Sequence, residues 1–330
     1  MVFLQPVVIA LALFSFLSEA LPALQPRDAD FASLRGLTTV SRDRSGKKGD
    51  PVDKYFHEST FHPHYDGRFA QRVVSYDTRR THLTHLMQTY LKTMHGIRAE
   101  TWIMHGSLLG WWWNRKIMPW DSDVDVQISE QSMTFLADFY NMTVHHYDLP
   151  GVKGGRNYLL EVNPHYKNGS TDDRLNVIDA RWIDTETGLF IDITTLRRNE
   201  TAEALGLKGH MMCKDKHHYL HKDIFPLRDS VFESMPVKIP FAYSQLLEEE
   251  YGPRALTRTE FEHHHFDTKK MEWVLMDTNE KNLIIDERPF RGAKPHRLGP
   301  GGSGGGGTSI NLRDPDTEVM HVPGSALEIS

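Results

Sequence analysis

Three aspartates two residues apart, Asp121, Asp123 and Asp125, follow a Pro-Trp pair in the stretch PWDSDVDVQIS. Residues two apart on a strand face the same side. Asp123 and Asp125, with Asp121 just ahead of them, are therefore expected to project together. Like charges held that close raise one another's pKa, and a divalent cation removes the penalty. Oxygen-only donors select a hard ion, Mg2+ or Mn2+. A solvated acidic edge strand is the plainer reading of the same spacing. Two further features favour the metal. Gly106-Ser107 sits upstream, between a predicted strand and a short helix and ahead of the acids. Asp192, in FIDIT, is flanked by apolar residues on a second predicted strand. It could complete a metal set or act as a base toward a hydroxyl.

The elements that must position these groups follow from hydrophobic periodicity. Leu83, Leu86, Met87, Tyr90, Leu91 and Met94 fall at helical spacing over 79–97, with Gly96 as the expected stop. A short strand over 101–106 should run into a glycine turn, with a short helix over SLLGWWWN behind it. Strands are predicted over 124–129, 158–166, 176–184 and 188–196, the last two joined by TETG. Helices are predicted over 132–140 and 241–252, the second ended by Gly252-Pro253. Sequence order then implies an α/β or α+β fold, with a small mixed sheet flanked by helices.

Other side chains have two readings each. Arg181 could fork onto a phosphate or pair with a neighbouring carboxylate. His105 could touch phosphate or simply pack. Lys116 could neutralise donor phosphate from the loop before the acids. Trp120 is the candidate for stacking on a ring. Trp111, Trp112 and Trp113 lie about 100° apart on a helix, so one or two should enter the core. His217 and His221 are one helical turn apart, a zinc-pair spacing, but no Cys or Glu pattern completes such a site; His217 is better placed toward a phosphate. The single cysteine, Cys213, excludes an internal disulfide and reads as a buried thiol.

The chain has 330 residues, a net charge of −6, 39% hydrophobic and 25% charged residues. An acidic balance argues against a nucleic-acid binder, though not against a small phosphorylated substrate. Val2 to Leu17 is apolar and SEA follows it, so residues 1–20 read as a signal peptide or short signal anchor. Sequons at Asn141, Asn168 and Asn199 agree with passage through the secretory pathway lumen. Residues 21–52 read as a flexible stem, 53–290 as the folded domain, and 291–330 as a Gly-rich disordered tail.

Taken together, HGSLLGWWW…PWDSDVDVQIS, NVIDARWIDTETGLFIDIT, DIFPL, VKIP and LLEEEYG resemble the LicD/fukutin family of nucleotidyltransferase-like proteins. The tryptophan triplet, DARWID and FEHHHFD are similar to its fungal branch, associated with cell-wall mannosylphosphorylation. The resemblance covers roughly residues 53–290. It implies a Mg2+- or Mn2+-dependent phosphotransferase in the Golgi, moving a sugar-phosphate from a GDP- or CDP-type donor to a glycan hydroxyl. Asp121, Asp123, Asp125 and Asp192 would be the metal set, and His105, Gly106 and Ser107 the phosphate contacts. The same branch also implies a second role, as a non-catalytic regulator of a transferase partner protein.

Overall fold

The computed structural model describes residues 31–46, 50–51 and 53–276. The leader and the glycine-rich tail inferred above lie outside these residues. In chain order, α1 (Tyr76–Ile97) leads into β1 (Thr101–Ile103), α2 (His105–Asn114), β2 (Val124–Ser129) and α3 (Glu130–Phe139). Four strands follow: β3 (Thr143–Leu149), β4 (Val152–Val162), β5 (Ala180–Asp184) and β6 (Phe190–Arg198). Next come α4 (Glu200–Ala204), β7 (His210–Met212), β8 (His218–Leu220) and α5 (His221–Ile224). A hairpin of β9 (Arg228–Phe232) and β10 (Met235–Ile239) precedes α6 (Tyr243–Tyr251). A small meander closes the order: β11 (Glu260–Phe261), β12 (His264–Asp267) and β13 (Glu272–Leu275).

The main sheet runs β1-β2-β6-β5-β4-β3, and β7 and β8 extend it from β6. Only β2 and β6 are parallel; the other neighbours are antiparallel. The mixed sheet with flanking helices expected from sequence order is the fold observed.

Alternation along β5 shows how the sheet is covered. Trp182 turns to α1, 6.3 Å from the Tyr90 ring, and stacks on Tyr158. Its neighbour Ile183 turns the other way, into a cluster of Leu159, Phe190, Phe69 and Leu34. Leu34 and Val40 are buried, and the Arg44 amide donates to the Gly67 carbonyl. Residues 31–46, expected in the stem, thus lie against the sheet. The stem composition is polar, but two apolar side chains suffice to dock it.

Several boundaries differ from the periodicity reading. Gly96 lies inside α1, and the reversal falls on Arg98 at φ 60°, whose amide reaches the carbonyls of His95 and Met94. Gly106 is not a turn residue; it belongs to the first turn of α2. The strand expected over 158–166 begins at Val152, and its polar edge partner β3 alternates half-buried and exposed. The β9–β10 and β11–β12 turns place Glu233-Ser234 and Glu262-His263 at positive φ, where Asn-Gly or Asp-Gly is the usual hairpin signal.

Gly110 has a steric reason to be glycine. A Cβ there would lie 2.4 Å from the Lys116 carbonyl oxygen, backbone that cannot swing aside. Gly110→Ala is therefore expected to lower stability by about 1–3 kcal/mol, read as a lower midpoint in denaturant unfolding.

Candidate active site

Strand register builds the site. Asp125 on β2 is the register partner of Asp192 on β6, Asp192 of Arg181 on β5, and Arg181 of Glu161 on β4. Four ionisable residues thus form one row across four strands, on the face opposite α1. The β4 end of the row is neutralised. Arg68 reaches Glu161 at 2.7 Å and Asp66 at 2.6 Å, and the Tyr55 hydroxyl donates to Glu161. In the middle, the Arg181 Nε donates to Asp192 Oδ1 at 2.8 Å, and its Nη2 lies 3.3 Å from Glu58. The guanidinium is sandwiched by Phe190 at 3.8 Å and Phe56 at 4.7 Å. Arg181 is therefore committed to carboxylates, the second of its two expected readings.

The β2 end is different. Burial pushes Asp121 and Asp125 well above the usual carboxylate range, and the Asp123 charge pushes both further. Arg79 opposes the shift at Asp121, and His105 at Asp125. Burial also raises Asp192, against the pull of Arg181. Asp123 is the most open of the set, its side chain 44% exposed. An acidic cluster with too few cations to balance it is what a divalent-cation site looks like without its ion. The donors are all carboxylate oxygen, so they fit a hard ion.

The α2 N-terminus meets this cluster without a side-chain cap, which adds favourable dipole charge near the acids. A Cβ on Gly106 would have only Asp121 Oδ2 near it, at 3.7 Å. The Ser107 hydroxyl accepts from the Asp125 amide at 3.2 Å, tying helix to strand. Gly106 and Ser107 thus lie against the acids as expected, although in a helix rather than a turn.

His105 opens α2 at φ 55°, a left-handed position rare for a residue with a Cβ. Burial alone would lower its pKa, but Glu250, with Asp125 and Asp215 behind it, raises it to about 9. Its Nδ1 is 2.8 Å from Glu250 Oε1 on α6. His217 faces the same group, ring to ring with His105 at 4.4 Å. The His217–His221 zinc spacing does not form a pair: His221 packs on Phe225, and His217 turns to Asp215 and His105.

Lys116 does not reach the acids. It pairs with Glu272 at the head of β13. Trp120 is held by Phe261, Trp273 and His264, all with ring centres within 5.3 Å. Each tryptophan of the triplet has its own protein partner. The Trp111 Nε1–H donates to Ser230, that of Trp112 to the Leu256 carbonyl, and that of Trp113 to the Ala255 carbonyl. Cys213 is fully buried, as expected. The sequon residues Asn141 and Asn168 are exposed; Asn199 is half-buried and caps α4 through its carbonyl oxygen.

Residues 98–242 match the family described as LicD/FKTN/FKRP, nucleotidyltransferase domain. That segment is similar to the family over somewhat less than half of the chain. It is also 28% identical over 157 residues to Mannosyltransferase regulator 4 of Saccharomyces cerevisiae, covering 48% of this chain and 13% of that one. A second yeast relative, Mannosyltransferase regulator 14, is 32% identical over 114 residues, covering 34% of this chain and 12% of its own length. The matched segment thus spans about an eighth of each relative.

Both acidic strands lie inside the matched segment, and several of their neighbours do not. His64 enters from the irregular segment before α1. Its Nδ1 is 2.7 Å from the Ser122 hydroxyl and its Nε2 is 3.7 Å from Asp123. Arg79 on α1 donates to the carbonyls of Pro119 and Trp120, fixing the approach to Asp121. Glu58, Glu250 and Asp215 were likewise not singled out from the sequence. Only Glu250, in LLEEEYG, lay within a quoted motif.

The raised carboxylates set a pH dependence. Asp121, Asp125 and Asp192 hold protons in the fold that the unfolded chain has already released. Without a cation their contribution to stability is full below the unfolded carboxylate pKa, about 3.9. It falls as pH rises through their raised folded values. Asp125→Asn should therefore raise the metal-free unfolding midpoint at neutral pH and do little in acid. Mg2+ or Mn2+ at a hundred times its Kd should stabilise the unsubstituted chain by about 2.7 kcal/mol, and the variant far less. Thermal melts with and without the ion check both.

Proposed function

We propose that this LicD domain is a metal-dependent phosphotransferase that moves a sugar-phosphate from a nucleotide-diphospho donor to a glycan hydroxyl in the secretory pathway. The observation that carries the reading is the Asp125–Asp192 register pair with Asp121 and Asp123 beside it. These four carboxylates would hold Mg2+ or Mn2+. Such an ion, when bound, would supply positive charge to offset that of the diphosphate and of the leaving nucleoside monophosphate.

The chain's own groups account for the remaining tasks. Arg181 fixes the orientation of Asp192 through Nε, so that this carboxylate faces Asp125 without having to be ordered at each turnover. The uncapped α2 N-terminus, with Gly106 leaving room above Asp121, is placed to receive phosphate oxygens. His64 stands at the open side of Asp123, where a donor or acceptor would enter. Attack by the acceptor hydroxyl forms the new phosphorus–oxygen bond as the bond to the nucleoside monophosphate breaks, and the acceptor proton passes to a carboxylate of the set. Mannose-phosphate is the transferred group that the mannosyltransferase names of the yeast relatives favour.

Those names also support a second reading, in which the same fold binds a sugar nucleotide or a transferase partner without chemistry. Purified protein with Mn2+, GDP- and CDP-linked donors and a mannan acceptor separates the two. Phosphotransfer releases nucleoside monophosphate; a glycosyltransferase would release diphosphate; a regulator releases neither. Asp123→Ala with Asp125→Ala should cut monophosphate release by at least the 10²–10³-fold typical of losing one transition-state donor. If the double variant fully restores cell-wall phosphate in a strain lacking the protein, the catalytic reading is wrong.

A further inference from the structure

His105, Asp215 and His217 form a cluster that the phosphotransfer reading leaves without a task. Their ligand atoms all lie within 4.8 Å of one another. His105 turns its Nε2 to Asp215 Oδ2 at 4.0 Å, and the His217 Nδ1 is 3.0 Å from Asp215 Oδ1. The carboxylate thus stands between two imidazoles and offers one oxygen to each. The His105 Nε2 is buried and makes no hydrogen bond. His105 is only 8% exposed, and a buried polar atom left unpaired at such a site is destabilising.

We infer that these three residues form a second metal site, chemically distinct from the aspartate set, that takes Zn2+. The donor set is two nitrogens and one oxygen, which suits zinc rather than magnesium. The other nitrogen of His105 already has the partner a zinc-bound histidine needs. Its Nδ1 faces Glu250 at 2.8 Å, the carboxylate–histidine–metal arrangement that fixes ring orientation. Tetrahedral zinc with bonds near 2.05 Å needs ligand atoms about 3.3 Å apart. The His217–Asp215 distance is already inside that, and with all three ligand atoms within 4.8 Å of one another the widest separation has to close by no more than about 1.5 Å. His217 stacks on Tyr219, and the Asp215 carboxylate accepts from the His217 amide, so the loop bearing both ligands is held in place. Three protein ligands leave one position open, the pattern of a zinc that can take an oxygen from water or phosphate.

The site does not require the aspartate set to be catalytic, and its test is independent of turnover. The full chain is purified without a polyhistidine tag and dialysed against metal-free buffer. It should retain about one zinc per chain by elemental analysis, and Co2+ replacement should give the intense visible absorption of a tetrahedral site. Asp215→Asn and His217→Gln should lose both signals with an unchanged far-ultraviolet circular dichroism spectrum. Glu250→Gln should weaken zinc about 10- to 100-fold in competition with a chelator. Asp123→Asn with Asp125→Asn should keep the zinc. The inference is overturned if the unsubstituted chain neither retains zinc nor gives a tetrahedral cobalt spectrum. It is equally overturned if zinc survives in folded Asp215→Asn and His217→Gln, or is lost with the Asp123 and Asp125 pair instead. Should either ligand variant fail to fold, the cobalt spectrum of the unsubstituted chain decides alone.

Discussion

The parallel pairing of β2 with β6 sets Asp125 directly against Asp192, on strands about 4.8 Å apart. Rotamer choice can ease the repulsion but cannot remove it, because both side chains leave the same face. Much of the surrounding structure can be understood as an answer to that fixed conflict. Arg181 meets Asp192 from the next strand, in register, and two phenyl rings hold its guanidinium in plane. Asp125 has no such in-register cation. What it has is an imidazole and the start of a helix.

The two faces of the sheet divide the work. One is apolar and takes α1, with Trp182, Tyr158 and Tyr90 packed ring to ring. The other carries the charged row, yet is covered too, by the chain before α1. Covering a charged face is costly unless the charges are paired. The Glu161–Arg68–Asp66 network meets that condition at the covered end of the row. Pairing therefore grows from the acidic end toward β4, and the site lies where it is least complete.

Much of this was legible in the sequence where spacing carries direct physical meaning. Two-residue alternation located β2 at Val124–Ser129, with Asp125 on the strand and Asp121 and Asp123 just ahead of it. Helical spacing found α1, α2, α3 and α6. The acid pair on separate strands could be suspected from FIDIT, but its register with Asp125 could not, since register depends on pairing rather than composition. His64, Glu58 and Asp215 escaped for the same reason: each is an ordinary polar residue whose importance comes from a contact far along the chain. The β11–β13 meander holds two of the expected site residues, Lys116 through Glu272 and Trp120 through Phe261, His264 and Trp273. The β9–β10 and β11–β12 hairpins went unseen because glutamate, serine and histidine occupy turn positions where glycine or asparagine would have announced them.

That meander lies beyond the matched segment, as do the stretches that supply His64, Arg79 and Glu250. The acidic strands and the groups that press on them are thus encoded in different parts of the gene product. Such a division lets the periphery diverge while the acidic motif stays as it is. Two chains with the same aspartates could then differ in what they accept, or in whether they turn over at all, through changes that a comparison confined to the motif would never register.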